Sequence, residues 1–201
     1  MKKYTLAEYS GLLEQAHLLK RCHMADAEEK TVEYLTFDSN KVTEGTLFIC
    51  KGAAFKAEYL EEAIQRGAIA YVSEKQYDTE TEVPYFLVND IRAAMPALAE
   101  KFHNAPWKEL TIVGIGGTKG KSTSAYYMKA IVDDYMEATG GKESAILSSI
   151  DIYDGVIREE SSLTTPEAVE LQEHLRHAAD SGITFAQMSI LVHRRVPGPA
   201  G

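Results

Sequence analysis

Residues 111–124 read Thr111-Ile112-Val113-Gly114-Ile115-Gly116-Gly117-Thr118-Lys119-Gly120-Lys121-Ser122-Thr123-Ser124, and this stretch decides the fold. An apolar run, Leu110 to Ile115, predicts a buried parallel strand, and the amphipathic segment Ser122 to Met136 predicts a helix. Between them Gly114, Gly116, Gly117 and Gly120 allow a sharp turn with amides pointing inward. A helix N-terminus behind such a loop attracts anions, because unpaired N–H groups and the macrodipole both favour negative charge. Lys121 adds a mobile cation for the outer phosphates, and Ser122 a hydroxyl that can ligate Mg2+. The stretch reads as a cradle for a nucleoside triphosphate. The strict pattern G-x-x-x-x-G-K-[ST] would need glycine at position 115, where Ile115 stands, so an ordinary glycine turn is the competing reading of the loop alone.

The 201 residues are enough for one large or two small domains, with 45% hydrophobic composition to fill a core. A net charge of −9 excludes non-specific nucleic-acid binding, since most of the surface would repel a phosphate backbone. Cys22 and Cys50 lack the spacing of a zinc site and are expected as reduced thiols. No window resembles a membrane span, so a soluble cytoplasmic protein is expected. A monomer is expected as well.

Ahead of the loop, Leu6 to Cys22 has helical spacing of apolar residues, and His17 and His23 beside it read as surface or packing residues. Strands are expected at Thr31 to Phe37 and Thr46 to Cys50, on either side of the turn Asp38-Ser39-Asn40. A helix at Ala57 to Arg66 with Gly67 as its cap, strands at Ala68 to Ser73 and Pro84 to Val88, and a helix capped by Asn89-Asp90 and running through Phe102 complete a first α/β unit. His103 to Pro106 reads as a linker. Beyond the loop helix come a parallel strand at Glu143 to Ser149, a hairpin turning at Asp154-Gly155, and a helix from Glu167 to Ser181. Pro166 is expected as that helix's first residue and Thr165 as its N-cap, and a strand follows at Ile183 to Met188.

The longer pattern G-x-x-G-T-x-G-K-[ST]-T fits Gly114, Gly117, Thr118, Gly120, Lys121, Ser122 and Thr123 and resembles the ATP loop of the Mur ligases and their folylpolyglutamate synthetase relatives. Gly116 stands where those proteins often carry threonine. FDSNKVTEGTLFICKG, beginning at Phe37, resembles the strand pair that binds the uridine diphosphate of the substrate in the tripeptide-synthetase branch of that family. Ser39 matches its serine, Asn40 replaces its usual arginine, and Lys41 could partly restore the charge. Thr164-Thr165-Pro166-Glu167 is similar to the family stretch whose two threonines contact the peptidyl part of the substrate.

The resemblance implies an α/β fold: a small N-terminal substrate domain over 1–106, then over 107–188 the first part of a P-loop parallel-sheet ATPase domain. It implies an ATP-dependent ligase that joins an amino acid to a UDP-N-acetylmuramoyl peptide through an acyl phosphate. Gly117, Thr118, Lys119, Gly120, Lys121 and Ser122 would hold ATP, Thr123 would support the loop, Lys121 would be catalytic, Ser122 would bind Mg2+, and Ser39, Thr164 and Thr165 would bind the substrate. After Met188 the family carries M-E-V-S-S with a magnesium-binding glutamate, whereas this chain reads Ser189-Ile190-Leu191 and then a basic, Pro- and Gly-rich segment. Codons for Glu-Val-Ser-Ser that lose two letters read Ser-Ile-Leu, so 189–201 is expected to be the product of a frameshift; a genuine disordered tail is the alternative. The resemblance implies a truncated, inactive ligase; the competing readings are a non-catalytic nucleotide-binding fragment, since the metal-binding glutamate and the amino-acid domain have no counterpart, or another Mur- or folylpolyglutamate-type ligase. A P-loop kinase or GTPase would leave the first unit and Thr164-Thr165-Pro166-Glu167 without a role.

Overall fold

The computed structural model describes residues 2–52, 55–161 and 166–190. It divides into two compact units, Met1–Ala105 and Pro106–Gly201.

The first unit opens with helix α1 (Leu6–Gln15), started by a reciprocal capping box between Thr5 and Glu8. The helix is shorter than its apolar spacing suggests. His17 adopts a left-handed conformation (φ 56°), which stops the helix, and Leu19–His23 becomes strand β1. Four further strands follow: β2 (Tyr34–Thr36), β3 (Thr46–Ile49), β4 (Ala68–Ser73) and β5 (Tyr85–Val88). Their order is β1-β5-β4-β3-β2, parallel from β2 to β5, with β1 antiparallel on the β5 edge. All residues of β3 and β5 are buried, as expected of parallel strands covered on both faces. Phe48, Cys50, Tyr71, Tyr85 and Leu87 pack in one cluster with Leu60 and Ala63 of helix α2 (Ala57–Gln65). The equally buried Leu47, Ile49, Val72 and Phe86 point the other way, leaving that face to α1 and to helix α3 (Ile91–Phe102), which pack on each other. Asp90 caps α3 by accepting from Arg92 N and Ala93 N at 2.8 and 3.1 Å, a cap worth about 1 kcal/mol.

The second unit contains β6 (Thr111–Ile115), α4 (Lys121–Thr139), β7 (Ala145–Leu147), β8 (Asp151–Tyr153), β9 (Arg158–Glu160), α5 (Ala168–Asp180) and β10 (Phe185–Ser189). The sheet order is β6-β10-β7-β8-β9, so β10, the last of the described strands in sequence, sits between β6 and β7 and is parallel to both. The sheet is mixed rather than purely parallel, because β8 and β9 add an antiparallel hairpin to the β7 edge. Among the described residues β6 pairs only with β10, so it is an edge strand with Thr111 and Gly114 exposed, and not the buried strand its apolar run suggests. β10 continues through Ser189, and Ile190 N donates to Ile115 O at 3.0 Å, which lays the first two residues after Met188 into the sheet. Helix α5 begins at Ala168 with Glu167 in the N-cap position, so Pro166 precedes the cap instead of opening the helix. Thr164 and Thr165 lie outside the described residues.

Two polar clusters tie the second unit together. Lys129, 9% exposed on α4, reaches Asp133 at 2.8 Å, Glu143 at 3.0 Å and Ser144 O at 2.7 Å, while Arg158 of β9 holds Glu143 at 2.9 Å. At the β8–β9 turn, Asp154 is fully buried. Burial pushes its carboxyl up, but hydrogen bonds from His174, the amides of Ile157 and Val156, and His177 outweigh that and hold it well below the usual carboxylate range.

Candidate functional site

The loop between β6 and α4 contains residues 116–120, all of them exposed. Gly117 (φ 148°) and Gly120 (φ 78°) take conformations that a side chain resists, and they fold the chain from strand into helix within these five residues. Gly120 is the N-cap of α4 and supplies no side-chain cap, and the first turn holds no acidic residue. The positive end of a 19-residue helix is therefore unneutralised by its own sequence. Lys121 is the first helical residue, and its Nζ donates to Gly117 O at 3.0 Å, across the loop. Ser122 Oγ lies 2.9 Å from Ser149 Oγ, just beyond β7. Gly114 lies under Ile190: a Cβ there would meet Ile190 Cδ1 at 3.4 Å.

The loop and first turn thus concentrate two lysines, Lys119 and Lys121, exposed backbone and a pair of hydroxyls at a helix N-terminus. Such a set neutralises and orients phosphate oxygens, and hydroxyl oxygens suit Mg2+. Gly117, Thr118, Lys119, Gly120, Lys121, Ser122 and Thr123 fall together on this loop and first turn. Ser149 was not singled out from sequence, since nothing local marks a serine after a strand as facing a helix start 27 residues away.

A second cleft, of about 450 Å³, lies in the first unit and is lined by Phe37, Asp38, Ser39, Asn40, Lys51, Gly52, Phe55 and Tyr59. Asp38 caps a short 3-10 turn over Ser39–Lys41 by accepting from Asn40 N at 2.9 Å, and Ser39 Oγ donates to Glu62 of α2 at 3.2 Å. Among the described residues the cation lining this cleft is Lys51, whose Nζ sits 4.1 Å from the Phe37 ring centroid; Lys41, expected to restore charge here, is not among the lining residues. Phe55 meets Tyr59 edge to face at 6.0 Å, so one wall is aromatic. Aromatic walls with one ammonium suit a planar heterocycle carrying negative charge. Lys51 and Phe55 could have been suspected from the Lys51-Gly52 pair one residue after β3, but their convergence with Phe37 comes only from the fold.

Residues 115–195 match the family model of the Mur ligase middle domain, and so past Met188. The chain is also 39% identical over 197 residues to a UDP-N-acetylmuramyl-tripeptide synthetase of Bifidobacterium longum, covering 92% of this chain and 37% of that one. The chain belongs to the Mur ligase family. Another Mur ligase relative, the UDP-N-acetylmuramoyl-L-alanyl-D-glutamate–L-lysine ligase of Streptococcus pneumoniae, is 40% identical over 166 residues, with 80% of this chain and 33% of that protein covered. The chain therefore spans about a third of the length of the curated Mur ligases it matches. Among solved structures, a UDP-N-acetylmuramoyl-L-alanyl-D-glutamate–2,6-diaminopimelate ligase superposes with a TM-score of 0.68 at 19% identity, over 94% of this chain and 36% of that one. A MurF ligase of Thermotoga maritima, solved with ADP, superposes at 0.51 with 19% identity, over 81% of this chain and 33% of that one. At these identities the two structures establish the Mur ligase α/β fold. Among the described residues no helix is long and apolar enough to cross a membrane.

Proposed function

We propose that the chain binds ATP at the β6–α4 loop and a UDP-N-acetylmuramoyl peptide through the Phe37–Tyr59 cleft, and serves the ATP-dependent addition of an amino acid to that peptide in the cytoplasm. The observation that carries this is the uncapped N-terminus of α4, with Lys121 and Ser122 in its first turn and no acidic residue beside them. Lys121 would exchange the Gly117 carbonyl for phosphate oxygens, and the loop amides from Gly117 to Gly120 would take the remaining charge. Ser122, with its hydroxyl beside that of Ser149, would hold Mg2+. Bound ATP with Mg2+ supplies the phosphoryl group that activates a substrate carboxylate. In the cleft, Lys51 would meet the diphosphate while Phe55 and Tyr59 hold the base, and Ser39 and Asn40 would border them. Substrate contacts at Thr164 and Thr165 are part of the same reading. The N-terminal unit is then the UDP-substrate domain and the second unit the ATP-binding domain.

The test is calorimetric titration of Mg2+–ATP. Lys121→Ala is expected to weaken binding about 10- to 100-fold, since a charge-assisted phosphate contact is worth about 1.5–3 kcal/mol. Equal affinity would remove the loop from the assignment. Mixing the chain with ATP, Mg2+, UDP-N-acetylmuramoyl dipeptide and lysine or diaminopimelate separates ligation from binding alone: product above the Lys121→Ala level assigns the ligase, and ATP binding without product assigns a nucleotide-binding protein.

A further inference from the structure

Asp154, His174 and His177 play no part in either cleft. Asp154 closes the β8–β9 turn, and the two histidines stand one turn apart on α5, so their side chains share a face. His174 Nδ1 lies 2.7 Å and His177 Nδ1 2.8 Å from the same oxygen, Asp154 Oδ2. The other carboxylate oxygen is engaged by the amides of Val156 and Ile157, at 2.9 and 2.7 Å, which fixes the direction of the carboxylate. Gly155 anchors the turn further, because a Cβ there would stand 2.7 Å from both Cβ and Oγ of Ser181 at the end of α5. Three donor atoms from two elements thus converge within 4.8 Å of one another, on a scaffold held by independent contacts.

We propose that Asp154, His174 and His177 form a binding site for a divalent first-row transition ion of the Zn2+ class. One carboxylate oxygen cannot donate, so in the metal-free chain both Nδ1 atoms present N–H to it; a divalent ion would take the place of those two protons. Donors around Zn2+ at about 2.0–2.1 Å stand about 3.3–3.4 Å apart in a tetrahedron, so the 2.7 and 2.8 Å contacts need to open by a little over half an ångström. Two imidazoles and one carboxylate favour zinc, cobalt or nickel over Mg2+, which prefers oxygen. His174 and Asp154 are buried, whereas the His177 side chain is 28% exposed, which gives the ion an entry and a water as fourth ligand. Bound there, the ion would clasp the hairpin to α5.

The test uses the full 201-residue chain in a Cys22→Ser background, which removes the exposed thiol next to His23, without nucleotide. Zinc chloride titrated by calorimetry is expected to bind one to one. His174→Gln and His177→Gln keep a side-chain N–H for Asp154 but lose the imidazole, and each is expected to weaken binding at least about ten-fold. Mg2+–ATP affinity is expected to stay equal in both variants, which separates this site from the β6–α4 loop. Imidazole 15N resonances should show the proton of both rings moving from Nδ1 to Nε2 when zinc is added. Absence of binding, or affinity within two-fold of the parent in both glutamine variants, would overturn the proposal. So would zinc binding that leaves both rings protonated at Nδ1.

Discussion

Two lysines on one helix show how position sets the role of a residue. Lys121 stands at the N-terminus of α4, where the helix dipole opposes a cation, so its charge is useful only when an anion is present. Lys129, two turns later, is enclosed by Asp133 and Glu143 and serves packing. The two cysteines divide in the same manner. Burial pushes the Cys50 thiol far up from its ordinary value, and the side chain is enclosed in the core beside Phe48 and Tyr71. Cys22 is exposed on β1. Iodoacetamide is therefore expected to modify Cys22 in the native chain and to reach Cys50 only in denaturant, which peptide mass mapping before and after unfolding checks. Equal labelling of both in the native state would contradict the enclosed position of Cys50.

At the scale of elements, the Lys129 cluster joins α4 to the start of β7 and, through Arg158, to β9. Lys129→Met keeps the length of the side chain and removes its charge, leaving Asp133 and Glu143 with Ser144 and Arg158 alone. The expected loss is about 2 kcal/mol, less than for a fully buried pair because the Glu143 side chain is 40% exposed and screened by water. Burial pushes the Asp133 and Glu143 carboxyls up, but their hydrogen bonds to Lys129, Ser144 and Arg158 win, and both titrate below their ordinary 3.8 and 4.5. Carboxyls depressed in the folded state stabilise it above the unfolded values and lose that contribution as pH falls through the folded ones. Urea unfolding from pH 6 downward should thus show stability falling below about pH 4.5, and Lys129→Met should flatten that fall. An unchanged acid slope would remove Lys129 from the linkage. Tyr127, Ile131 and Tyr135, spaced four apart on α4 and 61–71% exposed, form an apolar stripe on the opposite face of the same helix.

At the scale of the whole molecule, each unit has its own sheet, helices and buried cluster. The first unit covers its parallel strands on both faces, so it has the parts of an independently folding domain. Residues 1–105 expressed alone are expected to unfold cooperatively in urea, with coincident circular dichroism and tyrosine fluorescence transitions and a slope of about 1 kcal/mol/M. A broad, probe-dependent transition would show that this unit needs the rest of the chain.

Local signals in the sequence determined α2 and β4 nearly residue for residue, the Asp90 cap of α3, and the glycine loop that places Lys121 at the head of α4. Those features depend on neighbours within about one turn of helix or one turn of chain, where spacing, capping and glycine conformation act directly. Tertiary structure decided what depends on partners far away in the chain. Leu19–His23 continues a helical apolar spacing but pairs as β1 with β5, more than sixty residues on, because backbone partners were available there and His17 had already ended the helix. The apolar run of β6 looks like an interior strand, yet among the described residues β10 pairs with it on one side only, which leaves it at the edge. Neither Lys51 with Phe37 nor Asp154 with His174 and His177 carries a short-range signature, since convergence of side chains from separate elements is a product of sheet order and helix docking rather than of spacing.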